Sequence, residues 1–273
     1  MTAAAQIHLD PDDSGAEKLG LGTPPAVSAR ARVRSRWRGL VVRPVLLAAT
    51  LVVLYLVVHG RQLDSIEARS LNRHEISTQL LEHVQLSLVS TLLTIAIAVP
   101  LGILLTRPGA RWVRPIGLGL GKVGQAIPSI GLVVLLALWM GTGFATAVTA
   151  LVVYAVLPVL RNTIVGIEGV DPTLIESARG MGMSKLAVLA RIELPLAVPV
   201  ILVGIRTALV LTVASATLAT FIGGGGLGGG LVTGIGLYRP ILSVTFGIMV
   251  AALALFADWL GLVVEELLRP AGV

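Results

Sequence analysis

DPTLIESARGMGMSKLAVLARIELP, residues Asp171–Pro195, is a polar island in an otherwise apolar chain, and its reading decides what the rest must be. Asp171-Pro172 is a helix start: a carboxylate can accept from the free amides of the first turn, and proline at the first helical position forfeits no hydrogen bond. The pattern predicts a short helix to Arg179, ended by Gly180 and Gly182, which take left-handed backbone without steric cost. Ser184 then caps a second helix that stops ahead of Pro195. The expected product is two short helices about a tight glycine turn, stiffened by Pro195 and Pro199. One face carries Leu174, Ile175, Ala178 and Met181, small and apolar enough to enter a partner's groove, with Glu176 and Arg179 beside it. An amphipathic pair resting on a membrane surface has the same composition.

The flanking sequence is that of a membrane protein. The 273 residues are 55% hydrophobic and only 13% charged, with a mean hydropathy of +0.90, which excludes an ordinary soluble domain. The net charge of +6 comes from basic residues clustered beside apolar runs, so it reads as an orientation signal and not as a nucleic-acid footprint. Cysteine is absent, which excludes disulfides and thiolate chemistry. Residues 1–38, rich in Asp, Pro, Gly and Ala and then in arginine, are expected to be a disordered cytoplasmic tail, and residues 39–273 the membrane domain.

Six apolar blocks approach the ~20 residues that a spanning helix needs: Leu40–Val58, Val84–Leu105, Ile116–Met140, Phe144–Leu160, Ile201–Ile222 and Ile241–Val264. A rearranged 116–160 region would leave five. The first block, with arginines before it, also fits a signal peptide, but no small-residue cleavage site follows Val58. Arg107, Arg111 and Arg114 fall on the same side as the N-terminal tail and the 161–195 segment, so those parts are expected to be cytoplasmic, with both termini inside. Residues 59–82, carrying mixed charges, and the glycine-rich stretch fall on the other side.

Phe221-Ile-Gly-Gly-Gly-Gly-Leu-Gly-Gly-Gly places seven glycines within residues 223–230, and no charge occurs from Thr207 to Tyr238. Irregular backbone at membrane depth is tolerated only where it is buried or lines a cavity. The stretch is therefore read as a bend beside a translocation path where spans approach closely, against the alternative of a flexible loop. Neither it nor Gly117-Leu-Gly-Leu-Gly121-Lys122-Val123 has the spacing and hydroxyl of a nucleotide loop. Lys122, Arg206 and Asp258 lie nearest the span interiors and are expected to snorkel toward the cytoplasmic ends, an ion relay being the alternative. Gln125, Pro128 and Ser129 place polar groups and a kink within a span, either facing the path or packing.

The spacing Glu176-Ser-Ala-x-x-x-Gly182, nine further residues, then Ile192-x-Leu194-Pro195 resembles the cytoplasmic coupling motif of binding-protein-dependent ABC importer permeases. Ser177 departs from the alanine frequent there. Ile222–Gly228 and Gln125-x-x-Pro128-Ser129 resemble sequences of the subfamily importing glycine betaine, carnitine, choline or proline betaine. The resemblance covers roughly residues 84–264. It implies an all-α type I ABC importer permease fold in a bacterial cytoplasmic membrane. In that family Glu176, Ser177, Ala178, Arg179, Gly182, Ile192, Leu194 and Pro195 would engage an ATPase. Gln125, Pro128, Ser129, Gly223, Gly225, Gly226 and Gly228 would line the path.

The resemblance further implies two cytoplasmic ATPase subunits that hold ATP and magnesium, a second permease copy or paralogue, and an extracytoplasmic binding protein. The chain itself is then non-catalytic and binds no cofactor. Its 11 aromatic residues form no evident cage for a quaternary ammonium, so selectivity is expected to lie in the binding protein. A permease for methionine, sulfonate or phosphonate remains open on the motif alone. An ion-coupled transporter would need an acidic or histidine relay at mid-membrane. A membrane enzyme would need clustered His, Asp and Glu, whereas His59, His74 and His83 fall in one expected outer loop without a motif.

Overall fold

The computed structural model describes residues 29–110 and 112–268, with side chains from Val41 onward except at Arg111. The described chain is helical, with no strand: α1 (Ala29–His59), α2 (Ser65–Ser70), α3 (Arg73–Leu105), α4 (Arg114–Ala126), α5 (Ser129–Met140), α6 (Phe144–Glu168), α7 (Pro172–Gly180), α8 (Lys185–Val188), α9 (Leu194–Ser215), α10 (Gly228–Gly236) and α11 (Pro240–Leu267). The expected tail lies outside the described residues up to 28, and α1 begins at Ala29. Arg111 also lies outside the described residues.

Among the described residues, five helices are long and apolar enough to cross a membrane: Val41–His59 of α1, α3, α6, the run from α8 through α9, and α11. The predicted Ile116–Met140 span is a broken pair, α4 and α5, bent by 101°. The break is a property of Pro128. It forces its neighbour off the helical backbone, and Ile127 sits at φ −69°, ψ 129°. Arg114, opening α4, pairs with Glu168 at the far end of α6, whereas the amide of Gly143, between α5 and α6, donates to Ile222 O at 2.7 Å. The broken pair thus covers the length of α6 in reverse, and counted as one span it brings the candidate crossings among the described residues from five to six.

The expected outer loop at residues 59–82 is mostly helical. Asp64 and Glu67 form a capping box at α2, and the Asn72 side chain accepts from Glu75 N to start α3 at Arg73, well ahead of the predicted Val84. His83 is therefore inside a span. α6 likewise runs past Leu160 to Glu168.

α6 is the central post, packed between α3 and α9. Close approach depends on small residues, as hydrocarbon supplies no hydrophobic drive between helices. A Cβ on Gly102 would lie 2.7 Å from Thr163, and one on Gly204 would lie 2.6 Å from Asn162. Ala98, Ala155, Val159, Leu160, Ile164 and Ala208 fill the seam between the three helices. Thr91 and Thr212 hydroxyls meet across it at 2.9 Å.

Candidate coupling and translocation sites

α7 and α8 form the expected pair at the end of the molecule where α3 and α6 finish. The Asp171 carboxylate caps α7, accepting from the Thr173 amide at 2.9 Å and the Thr173 hydroxyl at 2.8 Å. Those bonds, the backbone one foremost, hold its pKa below the usual carboxylate range. Gly182 makes the turn at φ +85°, while Gly180 stays in the helix. Ser184 Oγ accepts from Ala187 N at 3.2 Å and caps α8.

Two expectations change here. The second helix does not stop ahead of Pro195. Leu189–Glu193 widen to a π turn, Leu194 N donating to Leu189 O, and the helix continues into α9. The altered register absorbs the proline that cannot donate. The apolar residues of α7 also do not share one outward face. Ala178 is 1% exposed and Ile175 half-buried, facing inward, whereas Leu174 and Met181 point out, Met181 at 76%. Glu176, Ser177, Arg179 and Pro195 are exposed, and Ile192 and Leu194 half-buried.

Glu193, unremarked in the sequence reading, is buried at 4% and paired with Arg107 at 2.6 Å. Arg107 Nε also donates to Ile103 O at 3.3 Å. An acid between Ile192 and Leu194 was the available signal, since a buried carboxylate requires a partner. Arg114 forks onto Glu168, the Nη2 bond to Oε2 being 2.9 Å. Arg206 and Asp258 do not snorkel separately. They pair at 3.1 Å, with Arg206 also on Glu265 at 3.1 Å and Arg43 on Asp258 at 2.6 Å. Lys122 is exposed.

At mid-depth, Gln125 Nε2 donates to Tyr154 O at 3.3 Å, beside the α4–α5 break. Gln125 and Ser129 are half-buried and Pro128 is exposed. The glycine stretch lies at the other end. After α9 the chain tightens into a 3-10 turn, Ala216–Ile222, and Gly223, Gly225 and Gly226 take φ of +69°, +81° and +91°. A Cβ on Gly228 would sit 2.0 Å from Thr217 O, so close approach as well as left-handed backbone accounts for the run.

Three side chains of α3 hold this loop by its amides. Glu82 Oε2 accepts from Gly226 N at 2.8 Å, His83 Nδ1 from Leu227 N at 3.3 Å and Gln79 Oε1 from Gly230 N at 3.2 Å. The opposite His83 nitrogen, Nε2, meets Val213 O at 2.8 Å, just before the helix tightens. With Nδ1 accepting, Nε2 carries the proton, so the imidazole serves as a neutral bridge. Spacing on α3 (residues 79, 82 and 83) puts these groups on one face, but the sequence did not say what that face met.

Residues 98–270 match the family model described as the binding-protein-dependent transport system inner membrane component. The chain is 40% identical over 204 residues to the choline transport system permease protein OpuBB of Bacillus subtilis, covering 74% of this chain and 92% of that one. It is 43% identical to the carnitine transport permease protein OpuCB of Listeria monocytogenes, covering 69% and 85%. It is 34% identical to the osmoprotectant import permease protein OsmW of Salmonella typhimurium, covering 77% and 100%. Among solved structures, the inward-facing MetNI methionine ABC transporter has a chain matching 71% of this one and 96% of its own length, with a TM-score of 0.64 and 22% identity. That likeness concerns the fold alone.

Proposed function

The chain belongs to the binding-protein-dependent transport system inner membrane component family, and we propose that it is the membrane subunit of an ATP-driven importer for compatible solutes such as choline, carnitine and glycine betaine. The cargo class rests on relatives that carry these names at about 40% identity over most of both chains. In this reading the chain catalyses no reaction. ATP and magnesium are held by two cytoplasmic ATPase subunits, a second permease copy completes the pathway, and an extracytoplasmic binding protein selects the solute.

The observation that supports coupling through residues 171–195 is the unbroken helical run from Lys185 through Ser215. A force applied to α7 and α8 passes into α9 without an intervening loop, and the Arg107–Glu193 pair carries it to the end of α3. Glu176, Ser177, Arg179, Gly182 and the outward Leu174 and Met181 offer the ATPase a docking surface, with Ala178 packed beneath it and Ile192, Leu194 and Pro195 joining it to the span. At the other end α9 finishes against the loop held by Gln79, Glu82 and His83, so movement of α9 would displace Gly223, Gly225, Gly226 and Gly228. Gln125, Pro128 and Ser129 would border the solute's route at mid-depth. The membrane is the bacterial cytoplasmic one, with both termini and residues 161–195 on the ATPase side.

Uptake of radiolabelled choline and glycine betaine into proteoliposomes holding this chain, its ATPase and its binding protein tests the reading. Uptake should require ATP and the binding protein. It should fall at least tenfold in Glu176→Lys and Gly182→Asp, with the melting temperature unchanged. Uptake that survives both substitutions would remove residues 171–195 from the coupling role, and ATP-dependent uptake of another solute alone would replace the cargo.

A further inference from the structure

We propose that the cleft between α1 and the α3–α11 body binds one anionic phospholipid, an acyl chain lying between the helices and the phosphate resting on Arg61 and Arg73. The site holds whatever the transported solute is. The Val41–His59 span of α1 is only 6% buried, and Leu54, at 9%, is its buried contact with the body. Beside that contact a cleft of about 620 Å³ opens, lined by Leu51, Leu54, Leu71, Ile76 and Met249 among others, within the ~300–1,000 Å³ of ordinary ligand pockets. Its walls are apolar, as an acyl chain requires.

The rim has the opposite character. Arg61 follows the end of α1 and Arg73 opens α3; both line the cleft, both are exposed, and among the described residues neither meets a carboxylate. They lie where α1 leaves the apolar layer, the depth of a headgroup. The hydroxyl of Thr245, a lining residue 4% exposed, has no hydrogen-bond partner, which a lipid ester oxygen or glycerol hydroxyl would supply. A cationic solute is disfavoured beside two guanidinium groups.

A second cleft between α1 and α11, about 360 Å³ and lined by Leu46, Leu47, Ile248 and Leu255 among others, shows the contrast. Its arginine, Arg43, is already paired with Asp258. No free cation is left there to select a headgroup.

Native mass spectrometry of the delipidated full chain, titrated with phosphatidylglycerol or with phosphatidylcholine of the same acyl chains, decides the matter. One phosphatidylglycerol should bind saturably, with a preference of roughly twenty-five-fold over phosphatidylcholine, taking each cation near the headgroup as about a factor of five. Arg61→Ala with Arg73→Ala should bring the two lipids to near equality. Leu54→Trp, which fills the cleft, should lose both, while Arg179→Ala with Arg191→Ala, at the other end, should keep the preference. Equal binding of the two lipids by the wild type, an undiminished preference in the double arginine variant, or unchanged lipid binding in Leu54→Trp would each overturn the proposal. So would a phosphatidylglycerol adduct carried by single chains and lost from two-chain species, which would give the cleft to a second copy.

Discussion

Removing the Arg107 guanidinium leaves the Glu193 carboxylate buried without its counter-charge, so Arg107→Ala is expected to lower stability by about 2–3 kcal/mol, below the ~3–5 typical of breaking a fully buried pair. The reduction reflects the Arg107 side chain, which is 33% exposed and partly screened by solvent. Replacing both partners, Arg107→Met with Glu193→Leu, should recover most of the loss, because it is the stranded charge and not the absent attraction that costs most. Urea unfolding of the two variants in detergent micelles checks both statements, and a single variant as stable as the parent would show that Glu193 reaches water in the folded protein. The pair also marks what residue-by-residue reading can and cannot find. Asp171, Pro172, Gly182 and Ser184 were legible because a cap or a left-handed turn is a local demand, met within four residues of chain. Glu193, Arg206 and Asp258 were each visible as charges in apolar surroundings, but their partners lie far off in sequence, so charge alone suggested snorkelling where the fold supplies ion pairs.

Elements were legible where one periodicity governed them and not where two constraints met. The spans of α3, α6, α9 and α11 follow from apolar length, yet α3 begins at Arg73 because Asn72 offers a cap, and a hydropathy window registers no caps. The π turn at Leu189–Glu193 shows the reverse: Pro195 reads as a stop, while a helix anchored by the burial of Val188 and Glu193 widens and continues. The glycine run has its cause in tertiary packing, which sets a test at this scale. A Cβ on Gly230 would lie 2.2 Å from the ring of Phe246, itself fully buried, so Gly230→Ala should destabilise the protein by about 1–3 kcal/mol, the usual range for overpacking a core. Gly119→Ala, in the interior of α4 with nothing within 4 Å of the new Cβ, should instead stabilise by about 0.5–1 kcal/mol. Melting temperatures of the two variants in one detergent separate a loop that is merely flexible, in which both substitutions are benign, from one packed against α11.

At the scale of the whole molecule the question is how often the chain crosses the membrane, since the broken pair α4–α5 has the composition of one span and the shape of two short helices. Its ends give the answer. Arg114 is fixed to Glu168 at one end of α6, and Gly143, directly ahead of the other end, is fixed to Ile222. α6 has 25 residues, about 37 Å at 1.5 Å per residue and more than the ~30 Å hydrocarbon layer, so these two anchor points lie on opposite sides of the membrane. The chain contains no cysteine, which makes single introduced thiols unambiguous reporters. Gly109→Cys and Thr142→Cys are both exposed positions flanking the pair, and Gly109 has open space where a Cβ would go. In intact cells a membrane-impermeant maleimide should label Thr142→Cys, while Gly109→Cys should react only after permeabilisation, together with Met181→Cys in the turn between α7 and α8. Labelling of Gly109 and Thr142 from the same side would make the pair a re-entrant loop and the crossings five, placing α6 the other way round relative to α3. In that arrangement Arg107 could not reach Glu193 and Arg114 could not reach Glu168 within one fold, so a single labelling experiment tests the topology and both contacts that support it.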